Sequence, residues 1–289
     1  MRTPRIVALT TAVAAAAAPM LALASPAIAE QSTTTTTQTV QNGPLDWLAL
    51  PALGATDWLQ RVKQLVSTGY VPEVLSVTNA ANPQYMSVWV KDTTRKVNVL
   101  QGLSATNLQQ RIADQLKLGY QPALISGAGS GAGAVFAVVF EKTTEKIQSK
   151  LGLTKDAFVT LNTKLAAAGY TLGSLDVYGT VEKPLYAAVW VVGGVAGTVQ
   201  VTTGQTVEQR GQELLAKAKQ GLHPVLMSIE PGKLFTTVWS KGSATGLKEY
   251  LNLSRVTYTL KSTEMKALGY KPEVLDTDGN LIAGIWSKG

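Results

Sequence analysis

Five oxygen-bearing side chains stand at one repeated position of this 289-residue chain and are the first candidates for chemistry. Each comes seven residues after a regularly spaced glycine: Ser76, Ser126, Asp176, Ser228 and Asp276. Hydroxyls and carboxylates brought together in this way would line a common rim that binds a ligand. Alternatively, each side chain bonds a nearby backbone group at the end of a strand. We take the five as a candidate ligand-binding set and keep the backbone role as the alternative.

The single histidine and the absence of cysteine limit other chemistry. His223 occupies a position that varies freely between repeats, so we expect it to be exposed, and nothing in the sequence selects the nucleophile and acid of a triad. One histidine without cysteine leaves no transition-metal site. Asp276, Asp278 and Asn280 resemble a fragment of a calcium loop, but the downstream glutamate is missing, which favours a hairpin turn. We predict no catalytic residue, no metal and no cofactor.

A glycine-rich run at 127–133 resembles a phosphate-binding loop only in composition. It lacks the Lys-Ser/Thr of a Walker motif and does not open a helix. We interpret it as a flexible hairpin turn.

Five aromatic residues recur 17 to 21 residues after the same glycines, each closing a β-rich run: Trp89, Phe140, Trp190, Trp239 and Trp286. Exposed aromatic rings in an exported protein can stack on sugars or bind another protein. Rings at repeated positions of strands more commonly pack in a core, where they bury a large apolar area. We therefore expect a structural role for these five.

The glycines themselves indicate which elements position these residues. Gly69, Gly119, Gly169, Gly221 and Gly269 recur at spacings of 50, 50, 52 and 48 residues, and a period this regular indicates a repeat architecture. Each glycine follows a stretch with apolar residues at helical spacing and precedes two strand-like runs. A short strand comes before each helix. The sequence predicts an α+β fold of five tandem strand-helix-hairpin repeats.

A unit of about 50 residues with one helix cannot bury a sufficient core alone, so the repeats should form one cooperative domain. We place this domain at 45–289, with repeats near 45–94, 95–144, 145–195, 196–244 and 245–289. We expect a ring-like, propeller-like domain or an arc-shaped one. In the ring, the strand at 46–50 would complete the sheet of the last hairpin.

The N-terminus predicts export. Residues 1–29 carry Arg2 and Arg5, then an apolar run ending in Ala27-Ile28-Ala29, as in a secretory signal peptide; a retained membrane anchor is the alternative. The polar, Thr-rich segment at 30–44 reads as a flexible leader, or alternatively as a glycosylated stalk or cell-wall tether. The mature protein is expected to be secreted and extracellular, without a membrane segment.

Charge and cysteine content exclude two further classes. The chain has 26 basic and 19 acidic residues, and removal of Arg2 and Arg5 with the signal leaves 24 against 19, a net charge of +5. No run of five or more lysines and arginines occurs, which argues against a nucleic-acid partner. The absence of cysteine excludes disulfides, so stability must come from packing.

The repeat resembles the bacterial tandem repeat domain. The resemblance lies in Gly-Tyr-x-Pro at Gly69 to Pro72, Leu-Ser at Leu75-Ser76 and Tyr-x-x-Val-Trp at Tyr85 to Trp89, and it extends over 46–289. In that family such arrays are often joined to exported serine hydrolases of the β-lactamase fold, including polyglycine hydrolases, where the repeats help to engage the substrate. Here no serine begins the Ser-x-x-Lys of such a hydrolase. The resemblance therefore implies a module rather than a reaction.

From these observations we expect an exported, non-catalytic binding or interaction module. Its target would be an extracellular protein or a cell-surface polymer, with a separate exported hydrolase as a candidate partner. Two alternatives stay open. One is a hydrolytic or serine-hydrolase-associated protein that brings Ser/Thr and carboxylates together across repeats, and the other is an inhibitor of exported peptidases.

Overall fold

The structure, a computed structural model, describes residues 47–193, 200–242 and 246–288. These residues form five similar units, each made of a strand, a helix and a hairpin. The predicted α+β tandem-repeat architecture is therefore confirmed. The predicted signal peptide and leader, together with parts of the linkers near 196 and 245, lie outside the described residues.

The elements recur in the same order in every repeat. The helices are α1 (Ala55–Ser67), α2 (Ala105–Lys117), α3 (Lys155–Ala167), α4 (Val207–Ala218) and α5 (Arg255–Ala267). The first strands, before the helices, are β1 (Trp47–Gly54), β4 (Val97–Leu103), β7 (Ile147–Leu153), β10 (Gln200–Gln205) and β13 (Lys248–Leu253). The second strands, after the helices, are β2 (Tyr70–Thr78), β5 (Tyr120–Ala128), β8 (Tyr170–Gly179), β11 (Leu222–Glu230) and β14 (Tyr270–Asp278). The third strands are β3 (Gln84–Lys91), β6 (Val135–Lys142), β9 (Pro184–Val192), β12 (Leu234–Lys241) and β15 (Leu281–Lys288).

Local sequence explains where the helices begin and end. In four repeats a Ser or Thr side chain at the N-cap accepts a hydrogen bond from the backbone three residues on, and Thr206 with Gln209 forms a full capping box in α4. At the other end Gly69 has φ +79°, a left-handed conformation that glycine adopts without strain. A Cβ at Gly69 would lie 2.7 Å from Cγ2 of Thr93, so a larger residue does not fit there.

Each repeat builds one antiparallel three-stranded sheet with the third strand in the middle. The expectation that the strand at 46–50 completes the last hairpin's sheet is wrong, because Trp47 pairs with Val90 of its own repeat. In all five repeats, the first strand pairs with the edge of the third strand that the second strand leaves free. Trp47 reaches the fifth repeat by other means: its carbonyl oxygen accepts a hydrogen bond of 2.7 Å from Lys266 Nζ.

Neighbouring repeats meet through their second strands. β2 contacts β5, β5 contacts β8, β8 contacts β11, β11 contacts β14, and β14 contacts β2. Apolar clusters cross these junctions, and one of them contains Trp47 and Met86 of the first repeat with Trp286 of the fifth. Among the described helices, none has the length and apolar character needed to cross a membrane.

Candidate functional site

The five candidate residues form a buried polar belt between the repeats. Ser76, Ser126 and Ser228 have no exposed surface, and Asp176 and Asp276 are 5% exposed. All lie on the second strands, at the level where neighbouring repeats meet. The expected ligand-binding rim would need these groups at an open surface, whereas the fold encloses them. We call this set the belt.

The belt follows one rule: the backbone N–H after each belt residue donates to the belt side chain of the next repeat. The donor and acceptor pairs are Val77 N to Ser126 Oγ (2.8 Å), Gly127 N to Asp176 Oδ2 (2.7 Å), Val177 N to Ser228 Oγ (2.9 Å), Ile229 N to Asp276 Oδ2 (2.7 Å) and Thr277 N to Ser76 Oγ (3.0 Å). Buried N–H groups are costly when unpaired, so each side chain satisfies a group that the adjoining strand cannot. The side chains do bond backbone groups, but those of a different repeat.

Hydroxyl groups connect the two carboxylates to the rest of the belt. Asp276 accepts hydrogen bonds from Ser76 Oγ at 2.6 Å and from Ser228 Oγ at 2.8 Å. With the N–H groups of Ile229 and Thr277, Asp276 accepts four hydrogen bonds in total. Asp176 accepts two, from Gly127 N and, at 3.3 Å, from Ser126 Oγ. The two carboxyl groups therefore occupy unequal environments.

Burial and hydrogen bonding have opposite effects on the pKa values of Asp176 and Asp276. Burial raises the pKa of Asp276 to about 6, although its hydrogen bonds from Ser76, Ile229 and Ser228 favour the charged form. Burial, and then the charge of Asp276, raise the pKa of Asp176 well above its usual range. Burial therefore favours the protonated form of both carboxyl groups, and the charge of Asp276 favours it further at Asp176.

A small cavity of about 80 Å³ adjoins the belt and is lined by second strands of all five repeats. Its walls include Leu75, Leu124 and Met227, and its polar lining includes Asp176 and Asp276. A space of this size holds a few water molecules or one small polar group. The described residues contain no cluster of three or more His, Asp or Glu side chains arranged to hold a metal ion.

The recurring aromatic rings are fully buried: Trp89, Phe140, Trp190, Trp239 and Trp286 have no exposed surface. Several indole N–H groups are bonded inside their own repeat, as from Trp89 Nε1 to Ser87 Oγ at 2.8 Å and from Trp190 Nε1 to Asn162 Oδ1 at 2.9 Å. In this conformation none of the five rings faces solvent, so stacking on an external ligand would require the fold to open.

The remaining candidates lie apart from the belt. His223 is half-buried rather than exposed, because its ring packs against Gly242, where a Cβ would lie 2.5 Å from His223 Cε1. Burial lowers the pKa of His223. Asp278 and Leu281 pair across a tight hairpin turn, and the glycine-rich run joins β5 to β6 through a single turn at Gly131–Gly133. Both segments take the hairpin-turn role predicted for them.

Sequence reasoning missed a buried arginine in the fourth repeat. Eleven residues before the repeat glycine, the helices carry Trp58, Leu108, Phe158, Arg210 and Tyr258. Arg210 has no exposed surface, lies 4.3 Å from the centre of the Trp239 ring and donates to Thr237 Oγ1 at 2.8 Å and to Glu249. Burial lowers the pKa of Arg210. Alignment of the five helices by their glycines would have shown this charge at a core position.

Comparison with known proteins identifies the repeat. Three segments, residues 46–92, 97–143 and 145–192, match the family described as polyglycine hydrolase-like, structural repeat. The chain belongs to this repeat family. Each matched segment of the polyglycine hydrolase-like repeat begins at or next to a first strand and ends at or just after a third strand. The family's unit is therefore the strand-helix-hairpin described above. No curated protein matches the chain.

Proposed function

We propose that the protein is an exported, non-catalytic binding module whose target is an extracellular protein or a cell-surface polymer. One observation carries this proposal. The hydroxyl and carboxylate groups that recur in every repeat are engaged in bonds between repeats, and the recurring rings are packed inside. Side chains that hold the repeats together are not available to catalyse a reaction. We therefore propose that the target is recognised by the exposed ends of the repeats.

The hydrolase alternative has less support. A serine nucleophile needs a base within hydrogen-bond reach. Among the described residues, the belt serines Ser76 and Ser228 donate to the carboxyl group of Asp276, but neither serine has any exposed surface that a substrate could reach. His223 Nδ1 is buried and has no hydrogen-bond partner in the described part of the chain. A hydrolase would therefore have to assemble its site elsewhere.

Within this module we propose that the five repeats close into a ring. Support comes from the contacts between its first and last members. Thr277 N donates to Ser76 Oγ at 3.0 Å, and Gly279 N donates to Thr78 Oγ1 at 2.8 Å. Met86 of the first repeat is 1% exposed and belongs to a cluster with Trp286 of the fifth. The same kind of second-strand contact joins the other neighbours.

Met86→Asp tests the ring. In a closed ring the new carboxylate is buried against the fifth repeat and should lower the free energy of unfolding by more than about 3 kcal/mol, or prevent folding. In an open arc residue 86 would face solvent, and the change should stay within about 0.5 kcal/mol. Urea unfolding followed by tryptophan fluorescence measures the difference. A mild effect would reject the ring and leave the binding proposal standing.

Affinity capture tests the binding function itself. Residues 30–289 are immobilised, secreted proteins and cell-wall polymers are passed over the column, and bound material is eluted at high salt or low pH. A saturable partner that free protein competes away supports the proposal. A column whose protein is shown by circular dichroism to be folded, yet retains nothing, contradicts it.

A further inference from the structure

Four exposed lysines occupy one equivalent position at the end of the third strand. They are Lys91, Lys142, Lys241 and Lys288, and the third repeat has Val192 there. Each pairs in the sheet with the first residue of a second strand: Tyr70, Tyr120, Leu222 and Tyr270. Three of the ammonium groups lie over the opposite tyrosine, at 5.0 to 6.0 Å from the ring centre.

The belt places these lysines at one end of the domain. Because its hydrogen bonds join equivalent positions of successive repeats, the second strands run side by side at the same level. Their first residues, and the lysines paired with them, therefore lie at the same end. Three more exposed lysines lie there because they stand at or just before the start of a first strand: Lys96, Lys146 and Lys248. We call the seven lysines the lysine end.

The acidic residues at this end are largely engaged within the protein. Arg95 binds Glu73 and Glu141, with Nη2 at 2.8 Å from Glu141 Oε2. Asp92 accepts hydrogen bonds from the backbone and side chain of Thr94. No ion pair joins any of the seven lysines to a carboxylate within the described residues. The lysine charges are thus not neutralised by these carboxylates.

Charged residues are distributed unequally between the segments at the lysine end and the rest of the described chain. The segments are 64–73, 114–123, 164–173, 216–225 and 264–273 around the glycines, and 91–96, 141–146, 191–193, 240–242, 246–248 and 287–288 at the junctions. They hold 14 basic and 7 acidic residues, while the rest of the described chain holds 10 of each. The positive excess of the described chain therefore falls at one end.

From this geometry we infer that the lysine end binds a linear polyanion carrying phosphate groups, a proposal that rests on the binding function above. Lysine is a compact charge with three donors and suits phosphate oxygens without bidentate geometry. The one arginine in the junction segments, Arg95, is already occupied by two carboxylates. Charges distributed around one end match a chain of charges better than a single anion.

Two other interpretations make different predictions. Single-stranded nucleic acid is also a phosphate polymer, but its binding proteins present exposed aromatic platforms, and the tyrosines here are at least half-buried beneath lysines. Lysines also complement helix C-termini, as where Lys91 Nζ donates to the carbonyl oxygen of Thr68. That role would stabilise the fold without creating affinity for a polymer.

Long-chain inorganic polyphosphate is the probe, with neutral dextran as the negative control. Binding is measured by fluorescence anisotropy of labelled polyphosphate over a series of salt concentrations. The end variant changes Lys91, Lys142, Lys241 and Lys288 to Gln. A matched control variant changes four exposed lysines elsewhere to Gln: Lys150, Lys155, Lys183 and Lys233.

We expect the wild type to bind polyphosphate and not dextran, and the end variant to bind at least tenfold more weakly. Removal of four contacts should lower the slope of log affinity against log salt by about 3, since each phosphate contact contributes roughly 0.7 to 0.9. The control variant should stay within twofold of the wild type. Unfolding curves of both variants must match the wild type, which separates binding from stability.

Equal losses in both variants would indicate bulk charge and overturn the proposal, as would an end variant that binds normally. A single-stranded oligothymidylate that binds as tightly as polyphosphate and depends on the same lysines would reassign the surface to nucleic acid. If the wild type does not bind polyphosphate but still retains a saturable partner in affinity capture, the polyanion proposal is refuted and the binding module is not. Loss of both kinds of binding refutes the binding module itself.

Discussion

Replacing Asp276 with asparagine measures which of two opposing effects governs the belt. Asp276 is buried, which favours the neutral acid, and it accepts four hydrogen bonds, which favour the carboxylate. The pKa of about 6, against an ordinary 3.8, means that burial prevails. A difference of this size corresponds to roughly 3 kcal/mol between the two protonation states.

The sign of the pH dependence follows from linkage. A carboxyl group with a raised pKa in the folded protein binds its proton more tightly there than in the unfolded chain. Its contribution to stability is complete below about pH 4 and is lost as the pH rises through about 6. The wild type should therefore lose up to roughly 3 kcal/mol from this group between pH 4 and pH 7.5.

Asp276→Asn removes that dependence because the amide does not titrate. Near pH 4.5 the variant should be less stable than the wild type by about 1–3 kcal/mol, because the amide NH₂ leaves one or more of the four donors without an acceptor. By pH 7.5 the difference should shrink by roughly 2 kcal/mol, because part of the contribution of Asp276 is already lost at pH 4.5. Urea unfolding at several pH values, with all curves fitted for the same m-value, gives the difference directly.

Asp176→Asn tests the second carboxyl group of the belt. Burial, and then the charge of Asp276, raise the pKa of Asp176, which accepts only two hydrogen bonds that an amide imitates better. This variant should cost less than Asp276→Asn near pH 4.5, and it should also gain stability relative to the wild type as the pH rises to 7.5, because ionisation of Asp176 in the unfolded chain no longer favours unfolding. If instead the deficit of Asp276→Asn grows as the pH rises, the four hydrogen bonds outweigh burial and the pKa of Asp276 is not raised in the folded protein.

Substitutions at two buried side chains, Trp190 and Arg210, test the packing inside the repeats. Trp190→Ala should lower the free energy of unfolding by about 3–5 kcal/mol because the ring is fully buried. The control Leu118→Ala changes a side chain that is 63% exposed, and it should alter stability by less than about 0.5 kcal/mol. A small loss for Trp190→Ala would reject the core role of the ring. Arg210→Ala should cost about 3–5 kcal/mol because it leaves Glu249 buried without its partner. The double change Arg210→Met with Glu249→Leu should recover most of that loss in thermal unfolding, and failure to recover would show that the arginine does more than balance a charge.

The features that recur about every 50 residues could be predicted from the sequence. The glycines, the helix starts and the aromatic positions each carry a local pattern, such as capping by Thr206 or the left-handed turn at Gly69. These patterns depend on residues within one turn or one strand of each other. The repeat architecture and the burial of Trp190 followed from them.

Contacts between repeats were harder to predict. Nothing local to Ser126 indicates that its hydroxyl accepts a hydrogen bond from Val77, 49 residues away. The pairing of the first strand was missed for a similar reason, since an alternating run does not specify which free edge it joins. Arg210 broke the apolar pattern of its helix, and only its tertiary partner Glu249 explains why the fold tolerates it.

The order of residues along the belt restricts how such an array can grow. Ser126 and Ser228 each accept a hydrogen bond from the preceding repeat and donate one to the following repeat, whereas a carboxylate only accepts. In the sequence Ser76, Ser126, Asp176, Ser228, Asp276, no two carboxylates are adjacent, and the last donates nothing but receives from Ser76. A duplicated repeat inserted beside Asp176 or Asp276 would keep the carboxylates apart only if it brought a hydroxyl at the belt position, so the belt restricts the order in which repeats can be added.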